Sequence, residues 1–143
     1  MKLQNGDVFL KKATQNKECV KWAENKQYYD LAVSRYYYSV YQTVLFLLDK
    51  FGISGDNNEK KTHYDTHNKL MKHVTTQNLL QHNYAGLQSL AKIPYLKKKR
   101  NNGDYSSIYI GEKAYKDDLK HKYEEVLEIL DYLVEREKNH EKQ

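Results

Sequence analysis

Apolar residues recur at helical spacing along most of this chain, and residues 28–51, which contain no glycine or proline, are apolar on more than one side. Their main apolar positions are three or four residues apart, which predicts an α-helix. These positions are Val33, Tyr37, Val40, Val44, Leu47, Leu48 and Phe51. A second set follows another side and consists of Leu31, Arg35, Tyr38 and Leu45. Because a helix that is apolar around most of its circumference must be buried on several sides, we predict that this segment is the central helix of a bundle.

The same periodicity predicts four further helices, which would pack around the central one. They cover residues 8–24, 64–80, 83–99 and 112–138. Pro94 lies inside the third of these, where its missing backbone N–H should kink or restart the helix. The expected fold class is therefore all-α, an up-and-down bundle of four to five helices. A chain of this length is expected to form one domain, here with its core in residues 8–138.

Glycine and asparagine mark two of the connections between these helices. Gly52 is expected to end the central helix, and the polar stretch 52–62 that follows is expected to be a loop. Thr62 is a candidate N-cap for the next helix. Asn102 and Gly103 together predict a turn.

The amino-acid composition bears on the charge of the protein and on the cellular compartment in which we expect it. The net charge of +5 and the pI near 9.0 permit an anionic partner such as nucleic acid, but they also fit a basic protein without one. Cys19 is the single cysteine, so no disulfide can form within the chain, and we expect a reducing cytoplasm. Its place at an apolar helical position predicts a buried, inert thiol. The uncharged run 36–48 falls short of the roughly 20 residues that a membrane-spanning helix needs, so we expect a soluble protein.

The strongest candidate for a nucleic-acid contact is a basic run with aromatic and polar neighbours. It consists of Tyr95, Lys97, Lys98, Lys99, Arg100 and Asn101. Cations contact phosphate, and an adjacent aromatic ring stacks on an unpaired base, so this run favours RNA binding. The alternative is a solvated helix end, where cations also complement the helix dipole.

Two histidines and one arginine are the other candidate site residues. His63 and His67 are four residues apart and share a helix face, but no third ligand is apparent, and we predict no metal site. The sequence contains no phosphate-cradling glycine loop and no dinucleotide fingerprint, so no cofactor is predicted. Arg35 lies in the apolar central helix, where it is either a structural ion-pair partner or a site residue.

Three stretches of the chain, in order, resemble the HEPN family, the small α-helical ribonuclease or nucleotide-binding domains of prokaryotes and higher eukaryotes. Residues 31–41 (LAVSRYYYSVY) are similar to the second helix of that family, and residues 62–74 (THYDTHNKLMKHV) to its histidine-containing third helix. Residues 100–105 (RNNGDY) resemble the Arg…Ala/Gly-Asp-Tyr signature that precedes its last helix. The resemblance extends over residues 15–135.

The resemblance implies a homodimer with a shared cleft and RNA as its ligand. Many HEPN proteins are metal-independent endoribonucleases of toxin–antitoxin, abortive-infection or other defence systems. By this resemblance, the implied catalytic residues are Arg100, Asp104 and Tyr105. The supporting residues that we expect beside them are Arg35, His63 and His67. A cognate antitoxin or a nucleotidyltransferase is the implied protein partner.

One departure from the family pattern leaves the function open. The usual catalytic motif pairs its arginine with a histidine a few residues later. Arg100 and Asn101 match the start of that motif, but Tyr105 and Ser106 stand where the histidine is expected. Cleavage without metal needs a base, which only His63, His67 or a tyrosine could supply. The expected function is therefore an RNA-binding endoribonuclease, a non-catalytic adaptor or antitoxin-like module, or a helical interaction protein without an RNA ligand.

Two interactions are predicted for the charged residues of this signature. Arg100 should contact the RNA phosphate, since a cation is needed to hold that group during cleavage. Asp104 should pair with Arg35 across the helices, which would account for a charged residue in an apolar helix.

Overall fold

The computed structural model describes residues 5–53, 62–105 and 109–141. The side chains of residues 5, 62, 64, 103–105 and 141 are not included in this description. All of the regular secondary structure in these ranges is helical. In chain order the helices are α1 (Asn5–Asn25), α2 (Tyr29–Lys50), α3 (Thr62–Thr76), α4 (Tyr84–Leu90), α5 (Ile93–Tyr105), α6 (Glu112–Ala114) and α7 (Lys120–Glu141). A π-helical segment, Tyr115–Leu119, joins α6 to α7. The predicted all-α helical bundle is confirmed.

Helix α2 lies at the centre of the bundle and packs against α1, α3, α5 and α7. Nearly all of its main apolar positions are buried, with Val33, Tyr37, Val40, Val44 and Leu47 fully inaccessible to solvent. Its second apolar side is half-buried. The central position predicted for this segment is therefore confirmed, and every site residue on α2 is held by a helix that is fixed on several sides.

The C-terminal end of α2 and the start of α5 agree with the predictions made from Gly52 and Pro94. Helix α2 ends at Lys50, and Gly52 follows it with a φ of 71°, a left-handed conformation that glycine adopts without steric cost. Helix α5 restarts the chain at Ile93, which places Pro94 in a first turn, where its missing N–H breaks no helical hydrogen bond. The predicted loop at 54–61 and the cap by the Thr62 side chain lie outside the described residues.

Three predicted boundaries are wrong. Helix α1 begins at Asn5 rather than at residue 8. Helix α3 ends at Thr76 rather than at residue 80. Helix α5 continues through Asn102 and Gly103 to Tyr105, where a turn was predicted. Its buried residues anchor α5 against α2 and α7, and such packing overrides the local preference of an Asn-Gly pair.

Cys19 was predicted to be buried, but it is exposed. Trp22, Tyr84 and Tyr95 are exposed as well. The buried face of α1 carries Ala13, Val20 and Ala23. This buried face is narrower than the set of apolar residues in the helix suggested. The Cys19 thiol is consequently accessible rather than buried.

The N-terminal end of α4 is capped by a side chain. Asn83 Oδ1 accepts a hydrogen bond of 3.0 Å from the backbone N–H of Gly86. We expect Asn83→Ala to lower the free energy of unfolding by about 1 kcal/mol, because an orphan N–H of the first turn loses its acceptor. Asn83→Asp keeps the acceptor and should stay near the parent in a urea titration. Equal unfolding midpoints for the two variants would show that the cap contributes nothing.

None of the helices in the described ranges is both long enough and apolar enough to cross a bilayer.

Candidate functional site

Arg100, the first residue of the predicted signature, lies inside the bundle rather than at its surface. Its side chain is only 7% exposed. The Nη1 atom donates a hydrogen bond of 2.9 Å to the Tyr38 hydroxyl, and Nη2 donates to Asn101 Oδ1. The guanidinium also lies 5.1 Å from the centre of the Tyr37 ring and 5.3 Å from that of Tyr38, so cation–π contacts hold it against α2.

Tyr37 connects this arginine to both predicted histidines. Its hydroxyl lies 2.8 Å from His63 Nδ1 and 3.1 Å from His67 Nε2. His63 also stacks on Tyr41, with 4.1 Å between the ring centres. The first half of α3 and the middle of α5, which are more than thirty residues apart in sequence, therefore meet on one face of α2.

We call this group the Arg100 cluster. Its members are Tyr37, Tyr38, Tyr41, His63, His67 and Arg100. The three helices that supply it are packed against one another, so the cluster is held on rigid elements rather than on loops.

Both histidines of the cluster are neutral at pH 7. The pKa of His67 is lowered to about 3, chiefly by burial and to a lesser extent by the neighbouring His63 and the Lys97 ammonium. Burial also lowers the pKa of His63, and the positive charges of Lys97 and Arg100 act in the same direction. The two cations therefore make the surroundings of the histidines electropositive, which suits an anionic ligand.

Two tyrosines of the cluster, Tyr37 and Tyr41, are held as neutral phenols. Burial raises the pKa of Tyr37 well above its ordinary value, although the Arg100 charge opposes this rise. Burial likewise raises the pKa of Tyr41. At neutral pH these hydroxyls act as hydrogen-bond donors and acceptors and do not supply charge.

The basic run is divided between two faces of α5. Lys97 is half-buried and acts on the cluster histidines, whereas Lys98 is exposed. Tyr95 lies on another face, because it is five positions before Arg100, which is not a whole number of helical turns. Its hydroxyl donates a 3.3 Å hydrogen bond to Asp118, and the ammonium group of Lys99 lies 5.5 Å from its ring centre. The structure therefore does not bring Tyr95 and Lys99 to the Arg100 cluster.

Arg35 is half-buried and lies outside the cluster. Its Nη1 atom donates a 3.3 Å hydrogen bond to Asn16 Oδ1 of α1, and its guanidinium lies 5.7 Å from the centre of the Tyr38 ring. The side chains of Asp104 and Tyr105 lie outside the described residues, so the predicted pairing of Asp104 with Arg35 and the predicted role of Tyr105 stay predictions.

The residues that sequence reasoning missed are Tyr37, Tyr38 and Tyr41. Tyr37 and Tyr38 were interpreted only as packing residues of the central helix, and Tyr41 was given no role. Tyr37 and Tyr38 nevertheless make the hydrogen bonds to the two histidines and to Arg100, and Tyr41 stacks on His63. A signal was present in their spacing, because Tyr37 and Tyr41 are four residues apart and so are His63 and His67. Two such pairs on facing helices can meet side by side.

In the described part of the chain, the cluster coincides neither with a group of metal ligands nor with the cavity between α1 and α7. In the ranges that the structure describes, no group of three or more His, Cys, Asp or Glu side chains is placed to hold a metal ion. A cavity of about 560 Å³ lies between α1 and α7, and no predicted site residue lines it.

Comparison with protein-family models, with curated proteins and with solved structures finds no match to this chain. The arrangement of the cluster must therefore be interpreted from its own chemistry. A cation can hold a phosphate, and a neutral histidine can exchange a proton. These are the two requirements for breaking an RNA chain without metal.

Proposed function

We propose that this chain is a HEPN-like RNA-binding protein that cleaves RNA without a metal ion. The observation that supports this function best is the convergence of Arg100, His63 and His67 around the Tyr37 hydroxyl. The resemblance to HEPN proteins had nominated these residues separately. The Arg100 cluster now offers a phosphate-binding cation beside groups that can accept a proton.

The electrostatics of the cluster favour RNA over a neutral ligand. Lys97 and Arg100 act together on the cluster, as their effect on the pKa of His63 shows. Tyr37 and Tyr38 keep the Arg100 guanidinium in place, so little side-chain freedom would be lost when it contacts a phosphate. The exposed Lys98 on the same helix would add a phosphate contact outside the cluster.

Arg100→Gln is the variant that tests RNA binding. We expect its affinity for single-stranded RNA to fall about 10- to 100-fold at low salt, because a charge-assisted phosphate contact is lost. The slope of log affinity against log salt should decrease by about one unit. Fluorescence anisotropy with a labelled RNA at several salt concentrations measures both quantities, and circular dichroism checks that the variant is folded.

Lys98→Gln is the matched control, since it removes one exposed cation from the same helix. It should weaken binding less than Arg100→Gln does. Wild-type affinity that does not depend on salt would contradict an RNA ligand. Equal losses for the two variants would show that only the total charge of α5 matters.

The setting proposed for this activity is a bacterial defence or toxin–antitoxin system, with the protein acting as a homodimer beside a cognate antitoxin or a nucleotidyltransferase. The support is the HEPN resemblance. A toxin of this kind should arrest growth when it is expressed without its partner, and Arg100→Gln should relieve the arrest.

A non-catalytic adaptor or antitoxin-like module is the second candidate, and one observation favours it. Trp22 and Tyr28 are both about half exposed, at 53% and 52%, and their rings meet edge to face at 5.8 Å. Exposed aromatic residues of this kind are enriched in protein–protein interfaces. Expression without growth arrest, together with a partner that no longer binds Trp22→Ala, would favour this function.

A further inference from the structure

A second face of α5 carries Tyr95 and Lys99, two of the predicted RNA-binding residues that lie away from the Arg100 cluster. The Tyr95 hydroxyl donates a 3.3 Å hydrogen bond to Asp118 Oδ2, and its ring is 39% exposed. The ammonium groups of Lys99 and Lys122 lie 5.5 Å and 5.0 Å from the centre of this ring. Two cations and an exposed aromatic ring are therefore held together on the outside of the bundle.

A small cavity adjoins these residues, and we call it the Tyr109 cavity. It lies between α5 on one side and the segment 109–119 on the other. Its lining combines buried apolar side chains with polar and aromatic ones, among them Ile110, Leu119, Lys99, Asn102, Asp118 and Tyr109. Its volume is about 140 Å³, well below the roughly 300 Å³ at which pockets for whole drug-sized molecules begin. The cavity therefore suits a single planar ring system.

Tyr109 is anchored beside this cavity although its ring is 69% exposed. The next residue, Ile110, is 7% exposed, and its backbone N–H donates a 2.9 Å hydrogen bond to Asp30 Oδ1 of α2. This contact holds the backbone next to Tyr109, so little freedom would be lost when its ring contacts a ligand. Because the ring both lines the cavity and is open to solvent, a ligand can reach the cavity from outside.

The charges around the cavity favour an anionic ligand. Lys122 pairs with Asp118, and Lys99 acts on the same carboxylate, so two cations face one anion. The pKa of Asp118 is lowered, chiefly by the hydrogen bond from Lys122, so this carboxylate stays ionised and only accepts hydrogen bonds. Glu125, which also acts on Lys122, is paired with Lys92 at 3.2 Å. One positive charge is therefore in excess among these groups.

An unpaired nucleobase with its phosphate matches this combination of groups. One face of a base can stack on the exposed Tyr109 ring. The polar edge of a base presents hydrogen-bond donors and acceptors, which the Asn102 amide and the Asp118 carboxylate can meet. The attached phosphate needs a cation, and Lys99 lines the same cavity. A base inside a duplex is stacked and paired already, so only an unpaired base can enter.

We propose that the Tyr109 cavity binds one unpaired base of a single-stranded RNA, stacked on Tyr109, with the adjoining phosphate on Lys99. This inference rests on the proposed function, to which it adds a second contact for the same ligand. Lys99 and Arg100 are consecutive on α5, and a helix with its side chains is only about 10–12 Å wide, so one strand can reach both places. The cavity would thus select unpaired RNA for the Arg100 cluster.

Tyr109→Ala is the decisive variant, and Tyr84→Ala is its matched control. Both rings are 69% exposed, but Tyr84 is the first residue of α4 and does not line the cavity. We expect Tyr109→Ala to lower the affinity for single-stranded RNA about 5- to 100-fold, because one stack of a base on an aromatic ring is lost. Tyr84→Ala should bind as the wild type does. Fluorescence anisotropy with a labelled RNA measures these affinities, and circular dichroism checks that each variant is folded.

Three further comparisons separate stacking from other effects. Tyr109→Phe keeps the ring and should keep the wild-type affinity, and a loss here would overturn the stacking. The slope of log affinity against log salt should stay unchanged in Tyr109→Ala but decrease by about one unit in Lys99→Gln, since only Lys99 contacts phosphate. A fully paired duplex offers no base to the cavity, so Tyr109→Ala and the wild type should bind it equally.

Photocrosslinking would locate the base directly. A single-stranded RNA that carries 5-iodouridine should crosslink to Tyr109, because this base reacts on irradiation with an aromatic ring on which it is stacked. Mass spectrometry of the digested complex identifies the crosslinked residue. Crosslinks that form only at residues outside the Tyr109 cavity would contradict the proposed position of the base.

The outcomes separate this inference from the proposed function. Equal affinities of Tyr109→Ala and Tyr84→Ala, with weakened binding by Arg100→Gln, would overturn the inference and leave RNA binding at the Arg100 cluster intact. A mononucleotide that binds as tightly as the RNA strand would also overturn it, because the occupant would then be a free nucleotide. The absence of any RNA binding by the wild type would reject the proposed function, and this inference with it.

Discussion

Acidification should destabilise this protein by about 1.4 kcal/mol for each pH unit between roughly pH 6 and pH 4 through His67 alone. Burial lowers the pKa of this residue to about 3 in the folded chain, from an ordinary value of 6.5. Between these two values the unfolded chain binds a proton that the folded chain excludes. The stability is therefore fully present above pH 6.5 and is lost as the pH falls toward 3.

Urea unfolding followed by circular dichroism at several pH values measures this loss. His67→Leu removes the group and should show a shallower pH dependence, and the lowered pKa of His63 leaves a slope of the same sign. The other groups that act on His67 are Tyr37, a neutral hydrogen-bond partner, and Lys97, a cation. Parallel pH profiles for the wild type and His67→Leu would contradict the inferred burial of a neutral histidine.

Tyr123→Ala should lower the free energy of unfolding by about 3–5 kcal/mol, because a large buried ring is removed and the cavity cannot fully collapse. Tyr123 is inaccessible to solvent and stacks on Tyr36, with 5.2 Å between the ring centres. Its hydroxyl donates a 3.0 Å hydrogen bond to the Leu96 carbonyl, which ties α7 to α5 four residues before Arg100. The ring therefore supports both the core and the helix that carries the proposed phosphate contact.

Two further variants separate the ring from its hydroxyl. Tyr123→Phe keeps the ring but leaves the Leu96 carbonyl without this donor, and should cost about 1–3 kcal/mol. Tyr132→Ala truncates a tyrosine of the same helix that is 48% exposed, and should change the stability by less than about 0.5 kcal/mol. Urea titrations of the three variants provide the comparison. Equal losses for Tyr123→Ala and Tyr132→Ala would show that the interior around Tyr123 is not well packed.

The helices could be predicted because their apolar positions repeat at one period. The central helix was expected to end near Gly52, and its last residue is Lys50. The π-helical segment Tyr115–Leu119 could not be predicted, since Tyr115, Leu119 and Tyr123 fit an ordinary α-helical period as well. The course of α5 through Gly103 was also hidden, because tertiary contacts rather than local preference decide it.

The cluster was only partly predictable for a related reason. Arg100, His63 and His67 carry chemistry that can be read from residue type and spacing. Their meeting point is Tyr37, and nothing local distinguishes it from the thirteen other tyrosines of the chain. Its role arises from three helices that are distant in sequence, and the choice among buried tyrosines depends on their packing.

The exposed thiol of Cys19 gives this chain a natural attachment point for a probe. It is the single cysteine and lies on α1, one turn from the single tryptophan, Trp22. A nitroxide or a dye can therefore be placed at one known position in the wild-type chain without any substitution. If two copies associate, the spacing between their labels can be obtained from dipolar spectroscopy or energy transfer, and it would locate α1 relative to the symmetry axis.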